Sequence, residues 1–168
     1  MTIHYRPALS TDAAACIDLR GRTRENAFSA AQLAELGITA ESWAAGIAEG
    51  DFIGRIAEDD GTVVGYGFAD RDSGEVLVLA LLPDYERRGI GQRLLQEVVG
   101  LARVAGHGRL FLACSADPRS RSHGFYRHLG WQATGEVDEA GDEILDLVGA
   151  RDAGGRDAAL HQNRTRSG

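Results

Sequence analysis

Cysteine is scarce: Cys16 and Cys114 are the two present in 168 residues, far apart and outside any Cys-x-x-Cys spacing. That excludes a disulfide framework and offers no zinc motif, so both are read as buried thiols. The five histidines add no metal signal. His123 and His128 fall on different faces of one helix, and no metal site is expected. No apolar run approaches the ~20 residues that cross a bilayer. The N-terminus also lacks the charged-then-apolar pattern of an export signal, and a cytoplasmic address is expected. Positive charge is the minority sign, with 18 Lys and Arg against 25 Asp and Glu and a formal charge of −7. This balance argues against a general partner for nucleic acid or an anionic membrane surface.

What is present is a hydrophobic content of 43%, enough for one well-buried domain and little for two. A single domain over residues 1–149 is expected. Beyond it the composition turns to Gly, Asp, Arg and polar residues without periodicity, so 150–168 reads as a mobile C-terminal tail.

Along the chain, Ile3 to Arg6 reads as a strand. Ser10-Thr11-Asp12 then caps an alanine-rich helix carrying Cys16, Ile17 and Leu19. The polar stretch Arg20 to Asn26 leads to helices around Ala30 to Leu36 and Glu41 to Ala48. Asp51 to Ala57 and Thr62 to Ala69 form a hairpin pattern around Glu58-Asp-Asp-Gly61. Glu75 to Leu82 is a nearly continuous apolar run that Pro83 ends, as a central strand would be. Ile90, Leu94, Leu95, Val98, Leu101, Ala102 and Ala105 follow helical spacing. Arg109 to Cys114 is a further strand, His123 to Leu129 a short helix, and Trp131 to Val137 with Glu143 to Val148 a closing hairpin.

The segment from Leu79 to Leu95 carries the chemistry. An apolar strand runs into Gly89-Ile-Gly91 and then into an amphipathic helix. Glycines permit a tight turn, and the amides from about Arg87 to Arg93 are expected to converge at a helix N-terminus, where the dipole favours an anion. Arg87, Arg88 and Arg93 add cationic charge. A Walker A loop needs Gly-Lys-Ser/Thr, which is absent. A Rossmann fingerprint needs glycine where Leu94 stands and an acidic residue where Cys114-Ser115 stands.

Glu86-Arg-Arg-Gly89-Ile-Gly91 resembles the Arg/Gln-x-x-Gly-x-Gly/Ala signature of the Gcn5-related N-acetyltransferase (GNAT) family, with Glu86 in place of Arg or Gln. Gly124-Phe-Tyr-Arg-His-Leu-Gly-Trp131 resembles its Phe-Tyr-x-x-x-Gly-Phe motif. In that second motif Phe125 and Leu129 are expected on the buried face, Tyr126 off it, and Gly130 at a left-handed helix end.

The resemblance implies an α/β (α+β) fold: a central mixed, mostly antiparallel twisted sheet of about seven strands flanked by helices on both faces. It implies acetyl-coenzyme A as cosubstrate and an N-acetyltransferase acting on an amine of a small molecule or peptide, by direct attack in a ternary complex. A homodimer is allowed for. By the same resemblance the backbone of Leu79, Ala80 and Leu81 binds the pantetheine arm, and Arg87, Arg88, Gly89, Ile90, Gly91 and Gln92 hold the pyrophosphate.

Tyr126 is the implied general acid. Glu75 falls where one branch of the family carries its catalytic glutamate, with water relayed to bulk as the alternative base. Cys114 stands where another branch has a glutamate, and Arg119 stands where the family often has a coenzyme-binding asparagine. Glu25, Asn26, Trp43, Asp70, Ser115 and His123 are candidates for the acceptor pocket. Arg20, Arg22 and Arg24 are candidates for holding a substrate carboxylate or phosphate. The competing readings are a non-catalytic acyl-coenzyme A-binding module and transfer of a longer acyl group.

Overall fold

The computed structural model describes residues 2–24 and 27–148. The candidates Glu25 and Asn26 and the expected tail at 150–168 lie outside the described residues. The chain divides into two compact units, Met1–Ala102 and Arg103–Gly168.

The first unit runs β1 (Ile3–Pro7), α1 (Ala13–Arg20), α2 (Ala30–Glu35), α3 (Ala40–Glu49), β2 (Phe52–Asp59), β3 (Thr62–Asp70), β4 (Val76–Leu81) and α4 (Ile90–Val104), whose last two residues pass the boundary. Two single 3₁₀ turns punctuate it, Ser10–Asp12 before α1 and Pro83–Tyr85 between β4 and α4. The four strands form an antiparallel sheet in the order β1-β2-β3-β4. The helices α2 and α3 begin with capping boxes, at Ser29 with Gln32 and at Thr39 with Ser42, which satisfy amides that a helix start leaves open.

This sheet is covered on both faces. On one, Cys16 and Leu19 of α1 pack with Ile56, Tyr66, Phe68 and Ala80, and Trp43, Ile47 and Phe52 close over them. On the other, Ile90 and Leu94 of α4 pack with Ala57 and Val64. The switch of faces along β3 is made by a bulge: Ala57 pairs with Gly65 and Glu58 with Val63, leaving Val64 as the extra residue. Gly65 then lets α4 approach closely, since a Cβ there would stand 2.8 Å from Leu81 Cδ1 and 3.1 Å from Leu94 Cδ1.

The second unit carries β5 (Arg109–Cys114), α5 (Arg121–His128), β6 (Gln132–Val137) and β7 (Glu143–Val148), with an antiparallel sheet in the order β5-β7-β6. Leu110, Leu112, Trp131 and Leu145 are its buried side chains, together with Tyr126 and Cys114. The closing hairpin turns at Asp138, whose Oδ1 accepts from the amides of Ala140 and Asp142. The seven expected strands are all formed, and they are grouped as four and three.

Candidate coenzyme site

β4 ends the strand order of its sheet, pairing with β3 through Leu79↔Gly67, Ala80↔Tyr66 and Leu81↔Gly65. The side chains of Leu79 and Leu81 pack towards α4, and Ala80 packs towards α1. What β4 offers beyond these contacts is backbone. Glu75 sits just before the strand; its amide is held by Ser73 Oγ at 3.1 Å and its carbonyl accepts from the Asp70 amide at 2.8 Å.

After β4 the chain makes the 3₁₀ turn Pro83–Tyr85 and enters the loop 86–89. Arg87 takes φ 65°, and Gly89 φ 81°. An arginine in the left-handed region is uncommon and strained, and it occurs here two residues before a glycine with the same hand, with Arg88 of the opposite hand between them. Such alternation directs successive amides towards one side and forms a concavity for an anion. The Arg93 amide already donates to the Gly89 carbonyl at 3.0 Å, which closes the first turn of α4. The helix donors are therefore the amides of Gly89, Ile90, Gly91 and Gln92, and the expected donor run stops one residue earlier than Arg93. Gly91 lies inside the first helical turn and is not among the positive-φ residues; Gly89 makes the turn.

The three arginines differ. Arg87 is exposed at the loop tip. Arg88 lies over the Tyr85 ring, 5.3 Å from its centroid. Arg93, expected near the anion, lies over Tyr5 at 4.5 Å and pairs with Glu97, which Arg55 also holds at 2.6 Å. It is committed to the surface of α4. Tyr85 is fixed in turn: its hydroxyl donates to Asp59 Oδ2 at 2.5 Å, and that bond raises the phenol above its ordinary pKa. Glu86 accepts from Arg24 Nε at 2.8 Å.

In the second unit, Ser120 caps α5 by accepting from the His123 amide, and Tyr126 is the buried residue of that helix. Its ring meets Phe125 at 5.1 Å and Trp131 at 5.9 Å, both edge to face. Phe125 and Leu129 are only half-buried, so the expected assignment of faces is reversed. An eight-residue helix is set by its neighbours more than by its own stripe, and Trp131, at 2% exposure, draws Tyr126 inward. Gly130 ends the turn at φ 98°, as expected.

The acceptor candidates scatter. Trp43 belongs to the core, stacked on Phe52 at 4.3 Å. Asp70 and Ser115 accept from nearby backbone amides in turns. His123 Nε2 is 3.7 Å from Glu143 Oε2, which Arg127 holds at 2.7 Å. Arg20 lies over Phe28, Arg22 pairs with Asp18 on the surface, and Arg119 pairs with Asp117. Burial pushes the Cys16 thiol up to about 12 and raises Cys114 as well, so neither is poised as a nucleophile. Among the described residues no three His, Cys, Asp or Glu side chains converge as metal ligands, and no helix is long and apolar enough to cross a membrane.

The end of β4, the left-handed turn and the open amides at the start of α4 lie consecutively along the chain. Residues 14–131 match the model of the acetyltransferase (GNAT) family, and the chain belongs to that family. It is 34% identical over 84 residues to an amino-acid acetyltransferase of Azotobacter vinelandii, a match covering 48% of this chain and 18% of that one. The fold is similar to that of the PaiA N-acetyltransferase of Thermoplasma acidophilum, solved with coenzyme A (TM-score 0.74, 21% identity, 88% of this chain and 99% of the other). It is also similar to YncA of Salmonella typhimurium, solved with acetyl-coenzyme A (TM-score 0.68, 17% identity, 91% and 99%).

Proposed function

We propose that the protein is an acetyl-coenzyme A-dependent N-acetyltransferase in which residues 1–149 act as one domain, a reading supported by a family match that runs through both units. The observation that carries the coenzyme site is the pair of left-handed residues Arg87 and Gly89, two apart, just before α4. Strain of that kind persists where the surroundings or a ligand require it. The amides of Gly89 to Gln92 and the charge of Arg87 and Arg88 bind the pyrophosphate, and the backbone of Leu79, Ala80 and Leu81 binds the pantetheine arm as an added strand would.

The coenzyme supplies an activated acetyl thioester. The acceptor amine attacks its carbonyl carbon directly, which accords with two thiols that burial keeps protonated. Tyr126 holds a proton at its phenol oxygen for the thiolate that leaves, and Glu75 takes the proton that the amine loses. The acceptor is an amine of a small molecule or peptide. The likeness to a relative named amino-acid acetyltransferase favours an amino acid among these.

Tyr126→Phe tests the chemistry, since it keeps the ring against Trp131 and removes the proton donor. In a thiol-release assay with the best amine from a broad panel, kcat should fall by about ten- to a thousandfold, with the coenzyme Kd unchanged. Full turnover in the variant, with chemistry limiting the rate, would overturn the assignment. Coenzyme binding without thiol release on any amine would instead favour the binding module.

A further inference from the structure

The diphosphate turn begins with a carboxylate, an unfavourable group to place beside an anion. Glu86 directly precedes the left-handed Arg87, and its side chain is 16% exposed. Arg24, from the segment between α1 and α2, donates its Nε to Glu86 Oε1 at 2.8 Å across 62 residues of sequence. Two residues earlier, Arg22 pairs with Asp18 within its own helix end, with both partners well exposed. The neighbouring arginines therefore differ in reach. With Arg24 itself 55% exposed, the Arg24–Glu86 pair adds little to folding.

We propose that Arg24 is a positioning residue for the coenzyme loop, neutralising Glu86 so that the turn formed by Arg87 to Gln92 accepts a diphosphate. The inference rests on the coenzyme site proposed above. Removing Arg24 takes a cation away from the carboxylate of the residue that directly precedes the loop, in a half-buried setting where water screens charge incompletely. Arg24 thus supplies from a distant segment the charge that Arg at position 86 would supply within the loop.

The test is calorimetric titration of coenzyme A into the full chain and into Arg24→Ala, Glu86→Gln and the double variant, at low and moderate salt, with the ligand-free Tm of each as the folding control. Arg24→Ala should weaken binding about five- to twentyfold, more at low salt, while the ligand-free Tm barely moves. Glu86→Gln should bind at least as tightly as the parent, and the double variant should recover most of the lost affinity. That recovery separates neutralisation of Glu86 from direct contact of Arg24 with the coenzyme. Parent-like binding by Arg24→Ala, or a double variant as weak as Arg24→Ala, overturns the proposal. Failure of the parent to bind coenzyme A would overturn the site itself and this inference with it.

Discussion

Asp60 and Arg87 are the two non-glycine residues of the described chain with positive φ, at 51° and 65°; Asp60 is followed at once by a glycine of the same hand, Gly61 at 80°, and Arg87 two residues later by Gly89 at 81°. At neither glycine would a Cβ meet an atom within 4 Å. The two turns differ in what asks for this backbone. Asp60-Gly61 joins β2 to β3, and a two-residue hairpin turn of type I′ requires φ > 0 at both central positions, for which Asp-Gly is a favoured pair. The turn chemistry accounts for it completely. The loop 86–89 joins a strand to a helix, a connection that does not require a left-handed arginine, and the cost of about 1–2 kcal/mol for an L-residue there has no local return. In the proposed coenzyme site, its role is to aim amides. The turns are also joined: Asp59, the last residue of β2, accepts from Tyr85, whose ring lies beneath Arg88.

The largest test of this difference is a matched pair of substitutions. Gly61→Val and Gly89→Val meet the same dihedral and the same open space, so each should lower ligand-free stability by a similar amount, about 1–3 kcal/mol. Coenzyme affinity should separate them. Gly61→Val should bind normally once folded, while Gly89→Val should lose ~100-fold or more, since straightening the loop withdraws its donors. The rise in Tm with acetyl-coenzyme A should then vanish in Gly89→Val alone. If both variants keep a parental rise, the loop is not the diphosphate site.

What the sequence made readable here was local. β5 and β7 occupy the spans their apolar patterns predict, Arg109–Cys114 and Glu143–Val148, because alternation along one strand needs no knowledge of its partner. The turn ending in Gly61 and the helix end at Gly130 were equally legible, as glycines whose backbone preference is their own. The family resemblance singled out the loop proposed to hold the coenzyme, but its conformation was only half readable. Arginine carries no signal for a left-handed backbone, so Arg87 was missed, and Gly91 was credited with a turn that Gly89 makes alone. Contacts across long stretches of chain left no trace: Arg24 with Glu86, Tyr85 with Asp59, and the bulge at Val64 depend on what folds opposite. The helix α5 is the instructive error. Its i, i+4 spacing favoured Phe125 and Leu129, yet an eight-residue helix buries the side that tertiary neighbours select, and that side carries Tyr126.

A smaller effect is expected where the two turns touch. Tyr85→Phe removes the hydroxyl that donates to Asp59 and leaves the ring beneath Arg88. If the hairpin end braces the coenzyme loop, binding should weaken about three- to tenfold, the scale of one hydrogen bond to a charged group near the surface. Tyr85→Ala should lose more, because it also removes the support of Arg88. Equal, parental affinity in both would show that the brace serves only the fold and that the loop holds its shape unaided.

The smallest effect is the sharpest in sign. Replacing Asp60 or Arg87 by glycine relieves left-handed strain and loosens the unfolded chain, contributions of about 1–2 and 0.5–1 kcal/mol that oppose one another. At Asp60, a residue tolerant of this backbone, they should nearly cancel, and Asp60→Gly should leave both Tm and coenzyme affinity close to the parent. At Arg87 the strain is less well tolerated, so Arg87→Gly should raise the ligand-free Tm by a few degrees, as ~0.5–1 kcal/mol does in a domain of this size. The same change removes an exposed cation and lets the loop sample other shapes, so coenzyme affinity should fall about two- to threefold. A variant that is more stable when empty and weaker at binding has lost strain that served the ligand. If Arg87→Gly leaves affinity untouched, the left-handed arginine is a feature of the connection alone, and the distinction between the two turns disappears.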